Sequence, residues 1–375
     1  MTDEPTPGMT LEEIDTPDVI VDLDVVEANI RRAQAVAEGV GARLMPHIKT
    51  SKSPYVAALQ LAAGAAGITV AKLGEAEVFH AHGLGPILIA YPLVGAAKLS
   101  RLRTLLEAGA QLSIALDSVA VASPIAALAR SLGVRMPVWL EVDTGNHRLG
   151  VDPMEAVATC AALAGLEGIE VQGFMSYGGH VNAGKDAAER ARIVRDEVGL
   201  LRRLAGEAQA AGIARSLGVN VGGTLHLMFP DELAGVTVLR PGTYVYNDRM
   251  VVAGGAARIE DCAAQVLTQV VSRPSPDRAI VDAGTKTFAA DPIQRPGLTG
   301  YGTVVGHPEL ELYRLQEEHG FIRILDPGAQ LRVGDRLRIV PNHVCSMMNL
   351  HDRVVGVRQG RVERLLPVAA RGRIR

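Results

Sequence analysis

Lys49 ends the run Arg43-Leu-Met-Pro-His-Ile-Lys49, with His47 two residues before it and Lys52 three after it. An amine at the C-terminal end of a buried strand, beside another cation, has its ammonium form opposed by desolvation and like-charge repulsion. A lysine so placed becomes a neutral nucleophile able to hold a carbonyl cofactor as a Schiff base. A strand-terminal lysine taken alone more often simply reaches water, so other residues must agree with it. Gly222-Gly-Thr224 offers two bare backbone positions and a hydroxyl. That is the making of an oxyanion cradle where a helix N-terminus follows, and otherwise an ordinary turn. Pro341-Asn-His-Val-Cys345 sets His343 and Cys345 two apart, which in a strand puts both side chains on one face. Imidazole with thiolate suits Zn²⁺, and two protein ligands leave positions open for water or substrate. A lone His-x-Cys is otherwise structural, its cysteine a small buried hydrophobe.

These residues depend on the elements that carry them. Short apolar, β-branched runs at Arg43–Ile48, Gly67–Ala71, Ile87–Tyr91, Leu112–Asp117, Pro137–Asp143, Ile169–Tyr177, Ser216–Gly223 and Val236–Pro241 alternate with stretches of helical period. The stretches are Val25–Glu38, Tyr55–Ala63, Leu73–His82, Ala97–Ala108, Ser118–Ser131, Met154–Ala164 and Asp186–Ala211. Eight alternations in about 200 residues predict an α/β fold, a (β/α)₈ TIM-type barrel. A doubly wound open sheet would open its first βα turn with Gly-x-Gly-x-x-Gly, which is missing. Beyond Val251 the runs become short and alternating, separated by Pro, Gly and Asp, as in an antiparallel β domain. The expected division is a barrel over residues 16–250 and a β domain over 251–375 joined by residues 1–15. Part of the segment before Val25 is expected to pair with the second domain.

In a barrel of this kind, chemistry sits in the loops after the strands. Lys49 then follows the first strand, Arg148 the fifth, Tyr177 and His180 the sixth, Gly222, Gly223 and Thr224 the seventh, and Tyr244 and Asp248 the eighth. A cradle after strand seven facing a lysine after strand one describes a site for pyridoxal 5′-phosphate. Glu75 and Glu77 read as helix-surface residues.

Composition narrows the function classes. The chain has 375 residues, 48% of them hydrophobic, enough for a full core and more than one domain. A formal charge of -3 gives no basic field for nucleic acid. Three scattered cysteines, Cys160, Cys262 and Cys345, make no disulfide framework and suggest a reducing compartment. The acidic, Pro-rich N-terminus lacks a basic n-region and an apolar h-region, and no apolar run approaches the ~20 residues of a membrane span. A cytoplasmic enzyme is expected, with no membrane partner.

The ordered set of motifs resembles the fold-type III pyridoxal-phosphate enzymes, and within them the D-threonine aldolase and D-serine dehydratase branch. The set comprises Asp15-Thr-Pro17, Val21-Asp-Leu-Asp24, Pro46-His-Ile-Lys49, Thr69-Val-Ala-Lys-Leu-Gly-Glu-Ala-Glu77, Val142-Asp-Thr-Gly145 with Arg148-Leu-Gly150, and Gly222-Gly-Thr224. Arg240-Pro-Gly-Thr-Tyr244, Glu318-His-Gly320 and Pro341-Asn-His-Val-Cys345 complete it. The resemblance implies an alanine-racemase-like barrel, a closing β domain and a head-to-tail homodimer. By the same resemblance, Lys49 carries pyridoxal phosphate with His47 beside it, and Arg148 lies near the ring hydroxyl. Tyr177 contacts the pyridoxal, Gly222, Gly223, Thr224 and Tyr244 its phosphate end, and His343 with Cys345 a divalent metal, Zn or Mn. His180 is the expected base. Ser51 and Ser346-Met347 stand where relatives commonly show other residues. The implied activity is retro-aldol cleavage of 3-hydroxy-D-amino acids to glycine and an aldehyde. Dehydration to a keto acid and ammonia is the alternative, toward which Cys345 leans. A racemase and a non-catalytic cofactor carrier are the further rivals.

Overall fold

The computed structural model describes residues 4–293 and 298–375. The chain divides into two compact units. One holds Arg31–Lys49, Ala57–Gly242 and Arg373–Arg375; the other holds the residues up to Ile30, Thr50–Val56 and Thr243–Gly372. By contacts, the first division falls inside a helix, after Ile30, and a later one at Gly242. Residues 1–3 of the expected N-terminal segment lie outside the described residues.

Strand β1 (Asp18–Asp22) and the start of helix α1 (Leu23–Gly39) precede the barrel unit. Its strands are β2 (Arg43–Leu44), β3 (Ile68–Val70), β4 (Ile87–Ile89), β5 (Leu112–Leu116), β6 (Met136–Glu141), β7 (Ile169–Tyr177), β8 (Gly218–Gly222) and β9 (Val238–Leu239). Between them run α2 (Pro54–Ala62), α3 (Leu73–Ala81), α4 (Ala96–Glu107), α5 (Val119–Ser131), α6 (Ala156–Ala164) and α7 (Ala187–Ala210). All neighbouring pairs are parallel, in the order β2-β9-β8-β7-β6-β5-β4-β3. The two ends are joined by a parallel bridge between His47 and Thr69. Thr69 N–H donates to Pro46 O at 2.8 Å, and Ile48 N–H to Thr69 O at 2.9 Å. The expected eight-stranded parallel barrel is present.

Strands covered on both faces read as unbroken apolar runs, and β3 and β4 are buried at every residue. Met45, Leu88, Ala115, Trp139, Met175 and Val238 pack as one cluster of buried side chains. Ser118 starts α5 by accepting the Val121 N–H, and Asp186 starts α7 by accepting the Glu189 N–H. Glu75 departs from expectation. It is buried, and its carboxylate accepts the N–H groups of Ala71 (2.6 Å) and Lys72 (3.2 Å) at the start of α3. Glu77 instead pairs with Arg101 at 2.6 Å.

The second unit is a nine-stranded sheet of β1 with β10 (Ala264–Ser275), β11 (Arg278–Val281), β12 (Gly302–Val304), β13 (Leu310–Leu315), β14 (Gly320–Ile324), β15 (Arg336–Pro341), β16 (Arg353–Arg358) and β17 (Arg361–Pro367). Six strands close on themselves, because β10 pairs with β15 along its first half and with β11 along its second. Register shifts after Val270 and Ser272 bend β10 between those partners. The sheet is antiparallel except where β1 runs parallel to β16. Ile14 and Ile20 bury against Leu267, Val355, Val357 and Val362 on that side. The short helices α8 (Arg249–Ala253), α9 (Thr285–Phe288) and α10 (Val344–Met348) decorate this unit.

Candidate active site

Strand β2 is two residues long, so the chain after it is held by single bonds rather than by a ladder. His47 donates its N–H to Pro241 O at 2.8 Å, and its ring Nδ1 accepts the Lys49 N–H at 3.5 Å. Lys49 follows, half-buried in a turn. Its Nζ lies 5.6 Å from the centre of the Tyr177 ring, and the Arg148 guanidinium lies 4.5 Å from the same centre. The ends of strands one, five and six thus bring Lys49 and Arg148 to the ring of Tyr177. Arg148 Nη2 also stands 3.9 Å from Glu141 Oε1. Burial pushes the Glu141 carboxyl above the usual carboxylate range, while Arg240 and Arg148 pull it back. Lys52 was expected as the second cation. It belongs to the other unit, buried there with its Nζ 3.4 Å from Ala370 O.

Gly222 ends β8, and Gly223 has φ 142°, a conformation open to glycine. The following Thr224–Met228 is a five-residue 3₁₀ turn, not the longer helix the cradle was expected to precede. Behind the two glycines lies a buried polar network that sequence reasoning missed. Arg240 Nη2 donates to Ser176 O at 2.5 Å, and its Nε to Asn220 Oδ1. Ser176 Oγ donates to Glu197 Oε1, and His226 Nε2 lies 2.8 Å from Glu197 Oε2. Burial raises the Glu197 carboxyl, but His226 and the Ser176 hydroxyl outweigh it, leaving the group below its usual range. Burial pushes the Arg240 guanidinium down to about 10, with Glu141 and Glu197 opposing. A signal for Glu197 was present: with Val194, Val198 and Leu201 it shares the buried stripe of α7, where a carboxylate needs a partner.

His180 sits in the turn Gly179–Ala183, its ring against Gly145 of the Asp143 loop. That loop is ordered by Asp143 Oδ1, which accepts the N–H groups of Gly145 and His147 at 3.0 Å each. Burial lowers the His180 pKa below 6.5, although Glu197 and Asp143 pull the other way. Its Nδ1 is buried without a hydrogen-bond partner among the described residues.

In the second unit, His343 and Cys345 are not on a strand. His343 is the N-cap of α10 and Cys345 lies in its first turn. The tight turn, not strand alternation, sets their spacing. His343 Nδ1 stands 3.5 Å from Asp248 Oδ2, and Cys345 Sγ stands 3.2 Å from Thr50 Oγ1. Asp248 also caps α8 through the Val251 N–H (2.9 Å) and accepts the Val344 N–H (3.1 Å). Burial opposes a charged His343, but Asp248 and Cys345 outweigh it and push its pKa up to about 11. Tyr244 is buried in the turn Thr243–Val245.

The donor sets fit the groups the motifs imply. An amine, an aromatic ring, a guanidinium and a bare two-glycine loop suit pyridoxal phosphate. Imidazole with thiolate suits a soft divalent cation, and a carboxylate on the second imidazole nitrogen is a common support for a ligating histidine. Among the described residues no group of three or more His, Cys, Asp or Glu is placed to hold a metal.

A model of the alanine racemase N-terminal domain matches residues 21–250, and one of a putative serine dehydratase domain matches residues 263–357. The chain is 36% identical to a D-threonine aldolase of an Arthrobacter species, covering 98% of this chain and 95% of that one. It is also 36% identical to the D-threo-3-hydroxyaspartate dehydratase of Delftia sp. HT23, covering 90% and 92%. The crystal structure of D-threonine aldolase from Filomicrobium marinum superposes with a TM-score of 0.90 at 30% identity, covering 99% of each chain. No helix among the described residues is long and apolar enough to cross a membrane. The chain therefore belongs to the family that joins an alanine-racemase-like barrel to a serine-dehydratase-like domain, and is a pyridoxal-phosphate-dependent lyase.

Proposed function

We propose that the protein cleaves 3-hydroxy-D-amino acids between Cα and Cβ, giving glycine and an aldehyde. The observation that carries this reading is the meeting of Lys49 and Arg148 around the Tyr177 ring at the C-terminal ends of the barrel strands. Lys49 is the covalent anchor of the cofactor, Arg148 and Tyr177 hold its ring, and Gly222, Gly223 and Thr224 receive its phosphate. Pyridoxal phosphate, when bound, supplies an electron sink for negative charge at Cα. His343 and Cys345 hold a divalent cation, which supplies Lewis acidity toward a substrate oxygen. His180, kept neutral by burial, takes the proton of the β-hydroxyl as that oxygen becomes a carbonyl.

Cys345 favours a second reading, because a His-x-Cys pair resembles the dehydratase branch more than the aldolase branch. That reaction releases a keto acid and ammonia instead. One assay separates the two. D-Threonine, D-phenylserine, D-serine and 3-hydroxy-D-aspartate are incubated with the holoenzyme and Zn²⁺ or Mn²⁺, and both product classes are measured. Aldehyde with glycine is expected, lost on chelation and restored by the cation. Keto acid and ammonia without aldehyde would overturn the aldolase assignment, and turnover indifferent to chelation would overturn the metal.

A further inference from the structure

The two glycines of the β8 loop are backed by different buried side chains. Behind Gly222 stands Arg240: a Cβ there would lie 3.1 Å from the guanidinium. Behind Gly223 stands His226: a Cβ there would lie 2.6 Å from Nδ1. The same imidazole abuts Gly178, after β7, where a Cβ would lie 2.5 Å from Cε1. His226 is thus a wedge between two loops, 1% exposed. One ring nitrogen is fixed at 2.8 Å from Glu197, and the other, Nδ1, is buried with no hydrogen-bond partner among the described residues. Glu197 is tied to Ser176, and the Ser176 carbonyl to Arg240. One continuous chain, Arg240–Ser176–Glu197–His226, therefore sets the backs of both glycines.

A buried carboxylate and guanidinium are costly to assemble and add little stability over apolar packing. Their arrangement has a use if it fixes the loop before a ligand arrives. An anion at the loop meets backbone N–H groups already in place and a buried guanidinium behind them, so less ordering is needed on binding.

We propose that His226, anchored by Glu197, is a positioning residue for a phosphate ester, presetting the Gly222–Gly223–Thr224 loop so that the ligand's phosphate, rather than its ring, selects the site. This rests on the cofactor reading above and deepens it. The ring end of the ligand belongs to Lys49, Tyr177 and Arg148, which His226 does not touch among the described contacts. Loss of His226 should therefore weaken phosphorylated ligands selectively.

The test uses the full chain, stripped of cofactor by dialysis against hydroxylamine, and titrated with pyridoxal phosphate, pyridoxal and inorganic phosphate. Glu197→Gln keeps the volume of the support but removes its charge, and His226→Ala removes the wedge. Each is expected to weaken pyridoxal phosphate and inorganic phosphate at least tenfold, while pyridoxal changes less than threefold. Gly223→Ala, whose methyl group must displace the ring, is expected to show the same selectivity. Equal loss for pyridoxal and its phosphate, or no loss for either, would overturn the proposal. If the wild-type chain itself binds no pyridoxal phosphate, the cofactor reading fails instead, a distinguishable result.

Discussion

A neutral His180 has a definite kinetic signature. Burial places its pKa below 6.5, so the unprotonated ring predominates at neutral pH and is lost only as the pH falls through that lowered value. The rate under limiting substrate should therefore decline on the acid side with a midpoint below 6.5. His180→Asn should lower the rate by about 10²-fold or more and remove that limb. A variant that kept both the rate and the limb would remove His180 from the reaction. The positions of Lys49 and the two glycines were legible in the sequence because each stood at a predicted strand end. Glu197 was marked only as a carboxylate on the apolar stripe of α7, and His226 not at all, because the hydrogen bond between them is recognised only once α7 and the turn after β8 are packed together. The spacing of His343 and Cys345 was read as strand alternation, whereas the first turn of α10 sets it.

At the scale of elements, Asp248 holds α8 and α10 together. Its carboxylate accepts one N–H from each helix and faces His343. Asp248→Ala should cost about 1 kcal/mol for the lost cap and about 1–3 kcal/mol for the second N–H left without a partner. Urea denaturation should show a lowered midpoint, with Asp248→Asn losing less because one acceptor oxygen remains. An unchanged midpoint for the alanine variant would show that water replaces the carboxylate at no cost. The strand–helix alternation was readable because buried parallel strands are short apolar runs between amphipathic helices. β12 was not, since Gly-Thr-Val lacks the unbroken apolar run of the equally short β4. The parallel pairing of β1 with β16 was also hidden, because the partner strand stands near the opposite end of the sequence.

At the scale of the whole molecule, the barrel unit contains the cofactor chemistry proposed here, since Lys49, Arg148, Tyr177 and the β8 glycines all belong to it. The β unit contains the imidazole–thiolate pair. Family membership follows from matches spread over both units, whereas the choice between cleavage and dehydration does not, because relatives of both kinds are equally similar at 36% identity. All of the chemistry rests on which amine takes the cofactor. The direct measurement is borohydride reduction of the protein saturated with pyridoxal phosphate, followed by peptide mapping, with Lys49→Ala alongside. The account predicts a single pyridoxyl group on Lys49 and neither label nor turnover in the variant. Label on another lysine, or a variant that is labelled and active, would contradict it.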